Sequence, residues 1–190
     1  MERIEGTIWE GPDPGDSEEF ASLPPVLAAL LKVRNGLIAF HGGLHLRGIG
    51  PVPEWHAIDE VWHGEHALHK HYAEVLPTDV PFAQDCFGDQ YLLRDGGVWK
   101  LMAEMGFLEQ VSEDLGSWLA SVVENPTEVL ELEPLDIFRE DGGELEPGML
   151  LQVYPPFCSE EAEEGVTVSA IPTLARLEFL FDYAKSLEKE

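Results

Sequence analysis

The residues with the most chemical potential are histidines. All seven lie between positions 41 and 71: His41, His45, His56, His63, His66, His69 and His71. His66 and His69 are three apart, so on a helix they share a face and could hold a metal together. The zinc-protease pattern His-Glu-x-x-His is not spelled, because Glu65 precedes His66 but residue 64 is glycine. A third ligand at a recognised spacing is also missing. The stretch 63–71 is therefore expected to bind no structural metal, and its imidazoles read as a polar, pH-sensitive helix face.

Cys86 and Cys158 are the only cysteines and form no CxxC pair. Cys86 beside a histidine would make an activated thiol nucleophile. Nothing in the sequence brings the two together, and Cys86 falls inside an expected strand, where cysteine serves as a small buried hydrophobe. Gly48-Ile49-Gly50 begins a dinucleotide fingerprint, but Pro53 takes the place of its third glycine. There is no Walker lysine and no G-x-S-x-G. Carboxylates are too abundant for any pair to stand out as acid and base. The sequence assigns no catalytic, cofactor or metal residue, and the expectation is a protein that is not an enzyme and needs no cofactor.

Charge is the other chemical feature. The chain has 190 residues, 44% apolar, with 37 Asp and Glu against 11 Lys and Arg, a formal charge of −26. Broad electrostatic binding to a phosphate backbone or an anionic membrane needs the opposite sign. Nucleic acid and membrane are thus excluded as expected partners, and a basic protein is the natural charged partner. Residues 1–100 carry 16 acids and seven bases, while 101–190 carry 21 and four. The run Glu160, Glu161, Glu163 and Glu164 lies in the more acidic half and supplies the candidate partner-binding residues. It does not follow the calcium-loop pattern. No apolar run approaches the about 18 residues of a membrane span. The opening Met1-Glu2-Arg3-Ile4-Glu5-Gly6 lacks a signal-peptide plan, so a cytoplasmic location with reduced cysteines is expected.

The elements that must position these groups can be read from periodicity. Residues 1–22 are acidic and rich in Gly and Pro and read as a loose arm. Residues 23–190 read as a single domain, extended after about 126. Pro24-Pro25 open a helix with Val26, Leu27, Leu30, Leu31 and Val33 on it, and Asn35-Gly36 stop it. Leu37–Phe40 and Leu44–Arg47 are short strands around Gly42-Gly43. Trp55, Ile58, Val61 and Trp62 mark a helical face, and a second short helix carries Ala67, Leu68, His71 and Tyr72. The central hairpin spans about 85–104: strand Asp85–Leu93, turn Arg94-Asp95-Gly96-Gly97, strand Val98–Glu104. Ser112 is expected to cap a helix whose buried stripe is Leu115, Trp118, Leu119 and Val122. Residues 127–148 are leucine-rich with turns. Met149–Tyr154 and Val166–Ile171 are strands expected to extend the same sheet, and a last helix starts near Pro172-Thr173. The fold class is α+β, a largely antiparallel sheet with helices packed around it.

One stretch supports more than a fold class. Phe82-Ala83-Gln84-Asp85-Cys86-Phe87-Gly88-Asp89-Gln90-Tyr91-Leu92-Leu93-Arg94, followed by Gly97-Val98-Trp99-Lys100-Leu101, resembles the hairpin of the SUKH superfamily. That superfamily unites fungal cell-wall-synthesis regulators with bacterial immunity proteins that neutralise polymorphic toxins. Phe87, Gly88, Asp89, Tyr91, Val98 and Trp99 match its pattern, and the helix from Leu23-Pro24-Pro25 to Asn35-Gly36 is similar to its opening helix. The resemblance covers roughly residues 20–125. It implies a non-enzymatic binding protein that blocks a toxin domain, with the acidic surface as the means. The alternatives are a cytoplasmic regulatory scaffold without a toxin partner, and a small metal-binding or thiol enzyme using the histidines or Cys86.

Overall fold

A computed structural model describes residues 4–15 and 17–187. Seven strands form one antiparallel sheet in chain order: β1 (Trp9–Glu10), β2 (Leu37–Ala39), β3 (Leu44–Leu46), β4 (Val80–Asp85), β5 (Gln90–Arg94), β6 (Gly97–Met102) and β7 (Phe107–Ser112). Helices α1 (Pro25–Val33), α2 (Ile58–Trp62), α3 (Leu115–Glu124), α4 (Pro126–Val129), α5 (Glu133–Glu140) and α6 (Thr173–Leu187) pack around it, and β8 (Met149–Tyr154) pairs with β9 (Thr167–Pro172) in a separate antiparallel ribbon. The protein is α+β.

Strand alternation assigns the two faces of the sheet. Leu37, Leu44, Leu46, Ala83, Tyr91 and Val98 share one face, where they form a core with Leu27 and Leu31 of α1 and Leu115, Trp118 and Val122 of α3. Leu92, Leu101 and Leu108 share the other, packed on Leu177, Leu180 and Phe181 of α6. Both faces are covered. All six residues of β4 are therefore buried, and it shows none of the polar alternation that marks a half-exposed strand.

The hairpin pairs as expected, with Gln90 opposite Leu101 and Arg94 opposite Gly97. Its turn is the two residues Asp95-Gly96, both with positive φ, as the tight turns matching strand twist require. Its first strand is shorter than expected. Asp85 closes β4, and residues 86–89 are a turn, so Cys86 is not inside a strand. Ser112 likewise ends β7 and caps no helix; the cap of α3 is Asp114, whose carboxylate accepts the Ser117 N–H at 2.8 Å.

Two further expectations are corrected. The acidic N-terminal stretch is not a loose arm where it is described, because Ile8 and Gly11 donate to Ile38 and Gly36 carbonyls at 2.9 and 3.0 Å and make β1 an edge strand. Trp9 fixes it by packing edge-on against His56 at 4.4 Å. The leucine-rich stretch of 127–148 carries α5 and most of α4. The ribbon β8–β9 does not extend the main sheet, and a Leu151 N–H to Cys86 carbonyl bond of 2.7 Å ties it there.

A polar row interrupts the α6 side of the sheet. His45, Gln84 and Gln90 lie directly opposite one another across β3, β4 and β5. Arg47, just past the end of β3, donates to the Gln84 side chain at 2.5 Å, and His56 sits with its ring 6.1 Å from that of His45. All five are buried. Burial, then Arg47, pushes His45 down to about 3. Burial, then His45 and Arg47, pushes His56 well below its ordinary value. Both are neutral core residues, set apart from the imidazoles of 63–71.

This has a definite pH consequence. A histidine with a folded pKa below its unfolded value of about 6.5 contributes its full stability above that pH and loses it below, as the unfolded chain takes up a proton the folded chain refuses. His56→Phe cannot take up that proton. Wild type should lose stability relative to His56→Phe by up to about 1.4 kcal/mol per pH unit below 6.5. Urea unfolding of both proteins at pH 7, 6 and 5 checks it, and a difference constant with pH refutes it.

Candidate functional site

The turn after β4 builds the site. One carboxylate oxygen of Asp85 accepts the backbone N–H groups of Phe87, Gly88 and Asp89 at 2.9, 3.0 and 3.0 Å. This closes the turn and swings Phe87 outward. Gly88 has φ +98, and a Cβ there would lie 2.6 Å from the Leu180 side chain of α6, so glycine serves both the backbone and the close approach. Asp89 accepts the Ala103 N–H at 2.8 Å and stands 3.3 Å from the Lys100 ammonium.

Lys100 is the hub of the buried charge. Its side chain is only 8% exposed, and Nζ bonds Glu131 at 2.5 Å. Burial opposes its charge, but Asp85, Asp89 and Glu131 outweigh it and hold the pKa above the ordinary lysine value. Burial, then the neighbouring Asp89, raises the Asp85 pKa against the pull of Lys100 and the backbone donors of the turn. Asp89 is raised as well, by burial first. Glu131 reaches Lys100 from a left-handed backbone, φ +54, which is strained for a side-chain-bearing residue.

Arg176 of α6 completes the inner layer. It is 1% exposed, donates from Nε to the Phe87 carbonyl at 2.9 Å and from Nη2 to Glu104 at 3.2 Å. The other Glu104 oxygen accepts the Cys158 N–H at 3.4 Å. Above this layer opens a groove of about 740 Å³. Phe87, Met102, Met105 and Phe157 give it apolar walls, with the two phenyl rings edge to face at 5.6 Å. Glu128, Glu131 and Glu133 from the α4–α5 segment are exposed along one side.

The run Glu160, Glu161, Glu163 and Glu164 forms a single 3-10 turn with all four glutamates exposed, one residue after Phe157-Cys158. Tyr183 links it to the groove: its hydroxyl is 3.6 Å from the Cys158 sulfur, and burial, Cys158, Glu104 and Glu161 together push its pKa up to about 12. One acidic segment thus lines the concavity, and the other follows two of its lining residues in the chain.

The other candidate residues are not brought together. His66 bonds Glu60 at 2.6 Å and lies 3.7 Å from Glu178, while His71 stacks on Phe181 at 3.8 Å; no metal-holding group of three His, Cys, Asp or Glu occurs among the described residues. Cys86 is buried, its thiol pKa raised well above the ordinary value by burial first, and no histidine bonds it among the described residues. Of the motif residues, Phe87, Gly88 and Asp89 sit in the turn, Tyr91 in β5, Val98 and Trp99 in β6. Sequence reasoning missed Arg176, Glu104 and Glu131. Arg176 had a signal, a lone base on the apolar face of the last helix beside Leu177 and Leu180; the two glutamates had none among so many acids. No family model, curated protein or solved structure matches the chain.

Two substitutions test this construction. Gly88→Ala should destabilise by about 1–3 kcal/mol through backbone strain and overpacking against Leu180; an unchanged urea midpoint would contradict the close approach. Lys100→Met should cost about 3 kcal/mol by stranding Asp85 and Asp89, with Glu131 adding little because water screens it. A loss below about 1 kcal/mol would mean that the buried carboxylates do not need the lysine.

Proposed function

We propose that the protein is a non-enzymatic binding domain that captures a basic protein on its acidic groove face, and that it serves as a SUKH-like immunity protein whose partner is a toxin domain. One observation carries the reading: Glu128, Glu131 and Glu133 line an apolar-walled groove together with Phe157 and Cys158, which the glutamates of 160–164 follow closely in the chain. Acidic residues needed only for solubility have no reason to border a concavity. The arrangement of an apolar centre with a charged border is that of a protein interface. Its sign suits a cationic surface such as the substrate groove of a nuclease, which an acidic protein can be steered to and occupy. The inner carboxylates are largely committed to Lys100 and Arg176, which favours a positioning role for them over proton transfer.

Steering falls with salt, because the Debye length shrinks from about 10 Å at 0.1 M to about 3 Å at 1 M. Pull-down from the native cell, with mass spectrometry, identifies the partner, and stopped flow then measures its on-rate. Between those salt concentrations the on-rate should drop about tenfold or more. Joint Glu160→Gln, Glu161→Gln, Glu163→Gln and Glu164→Gln should lower it several-fold at low salt. An on-rate indifferent to both salt and the substitutions would leave the acidic surface serving solubility alone.

A further inference from the structure

Within that binding reading, on which the following rests, the groove itself points to a particular anchor. We propose that it takes an arginine side chain presented on a peptide segment of the basic partner.

Charge comes first. Among the described residues the ion pairs of the groove use Asp89, Glu131 and Glu104, whereas Glu128 and Glu133 stand outside them. Glu128 accepts only from the Asn125 side chain, and both residues are exposed. A cation entering the groove therefore meets carboxylates that no cation among the described residues neutralises.

The walls choose among cations. Phe87 and Phe157 present phenyl surface, and Met102 and Met105 present thioethers, with Phe157 45% and Met105 49% exposed. An ammonium keeps its water and gains little from such walls. A guanidinium is planar, weakly hydrated, stacks on aromatic rings and pairs with carboxylates through two parallel bonds. Its aliphatic stem covers the apolar surface that would otherwise stay wet. The protein already pairs the same groups internally, since the Arg176 guanidinium lies over the Phe179 ring at 5.4 Å while bonding Glu104.

Arg176 adds the requirement for a peptide. It lines the groove, yet its Nη1 is buried without a hydrogen-bond partner. A buried donor left unpaired is costly, and the group that satisfies it must be an acceptor. A peptide carbonyl supplies that acceptor on the same segment that carries the arginine.

The test uses the full chain with methyl-labelled methionine and the probe N-acetyl-L-argininamide, which carries the guanidinium and two carbonyls. Met102 and Met105 methyl signals should shift saturably, with a dissociation constant of about 1 mM, while Met149, outside the groove, should not move. N-acetyl-citrullinamide, the same shape without the charge, should bind at least about fivefold more weakly. The joint variant Glu128→Gln and Glu133→Gln should weaken argininamide several-fold with an unchanged melting temperature. The proposal is overturned if the two methionines do not respond, if citrulline binds equally well, or if N-acetyl-lysinamide binds as tightly as argininamide. Should the partner's on-rate still depend on salt and on the 160–164 glutamates in any of these cases, the anchor fails and the binding reading stands.

Discussion

Three backbone N–H groups converging on one oxygen of Asp85 decide the shape of the groove region. Without that acceptor the donors of Phe87, Gly88 and Asp89 would be left in a mostly buried turn, and the chain could not reverse between β4 and β5 in so few residues. The turn then fixes three things at once. Phe87 becomes a wall of the groove, its carbonyl becomes the acceptor for Arg176, and Asp89 is aimed at Lys100. The placement of α6 follows, because Gly88 leaves just enough room for Leu180. A carboxylate is thus used as a structural centre, and its burial is tolerable because a lysine and a set of amides face it.

The rest of the inner layer is an exchange of charge between distant parts of the chain. Lys100 comes from the hairpin, Glu131 from the segment between α4 and α5, Glu104 from the turn after β6, and Arg176 from the last helix. Each cation has carboxylates on more than one element or carbonyls as additional acceptors, so the layer links the sheet to both helical covers. Partial satisfaction is the exception, and it falls on Arg176 Nη1 at the groove.

Much of the fold was legible because local signals agreed with it. Asp95-Gly96 announced the tight turn, Pro24-Pro25 and Gly36 bounded α1, and the strand over Met149–Tyr154 is found at the expected residues. The failures have a common cause. Strand β4 is buried throughout and so carries no alternation, and β7 is an edge strand with exposed Phe107 and Val111 that blurs its pattern. Short helices such as α4 owe their existence to packing around Leu130 and Leu132 rather than to propensity. The site was less legible still. The glutamate run could be seen, and so could the motif at 87–89, but nothing in the sequence joined them. The segment leading into the run reaches the motif region only through contacts set by tertiary packing, Phe157 against Phe87 and Cys158 on Glu104.

The α6 helix also carries a consequence for when the groove exists. Arg176 bonds Phe87 and Glu104 across 89 and 72 residues of chain. Such long-range closures are late events in assembly, since the loop entropy must be met before the contacts repay it. A polypeptide still emerging from the ribosome, with residues up to Glu164 free, already displays both acidic segments but lacks the helix that seats Phe87 and holds Glu104. Its attraction for cations is present while its shape is not. The shape of the groove therefore arrives with the last helix, in one step with completion of the second hydrophobic core.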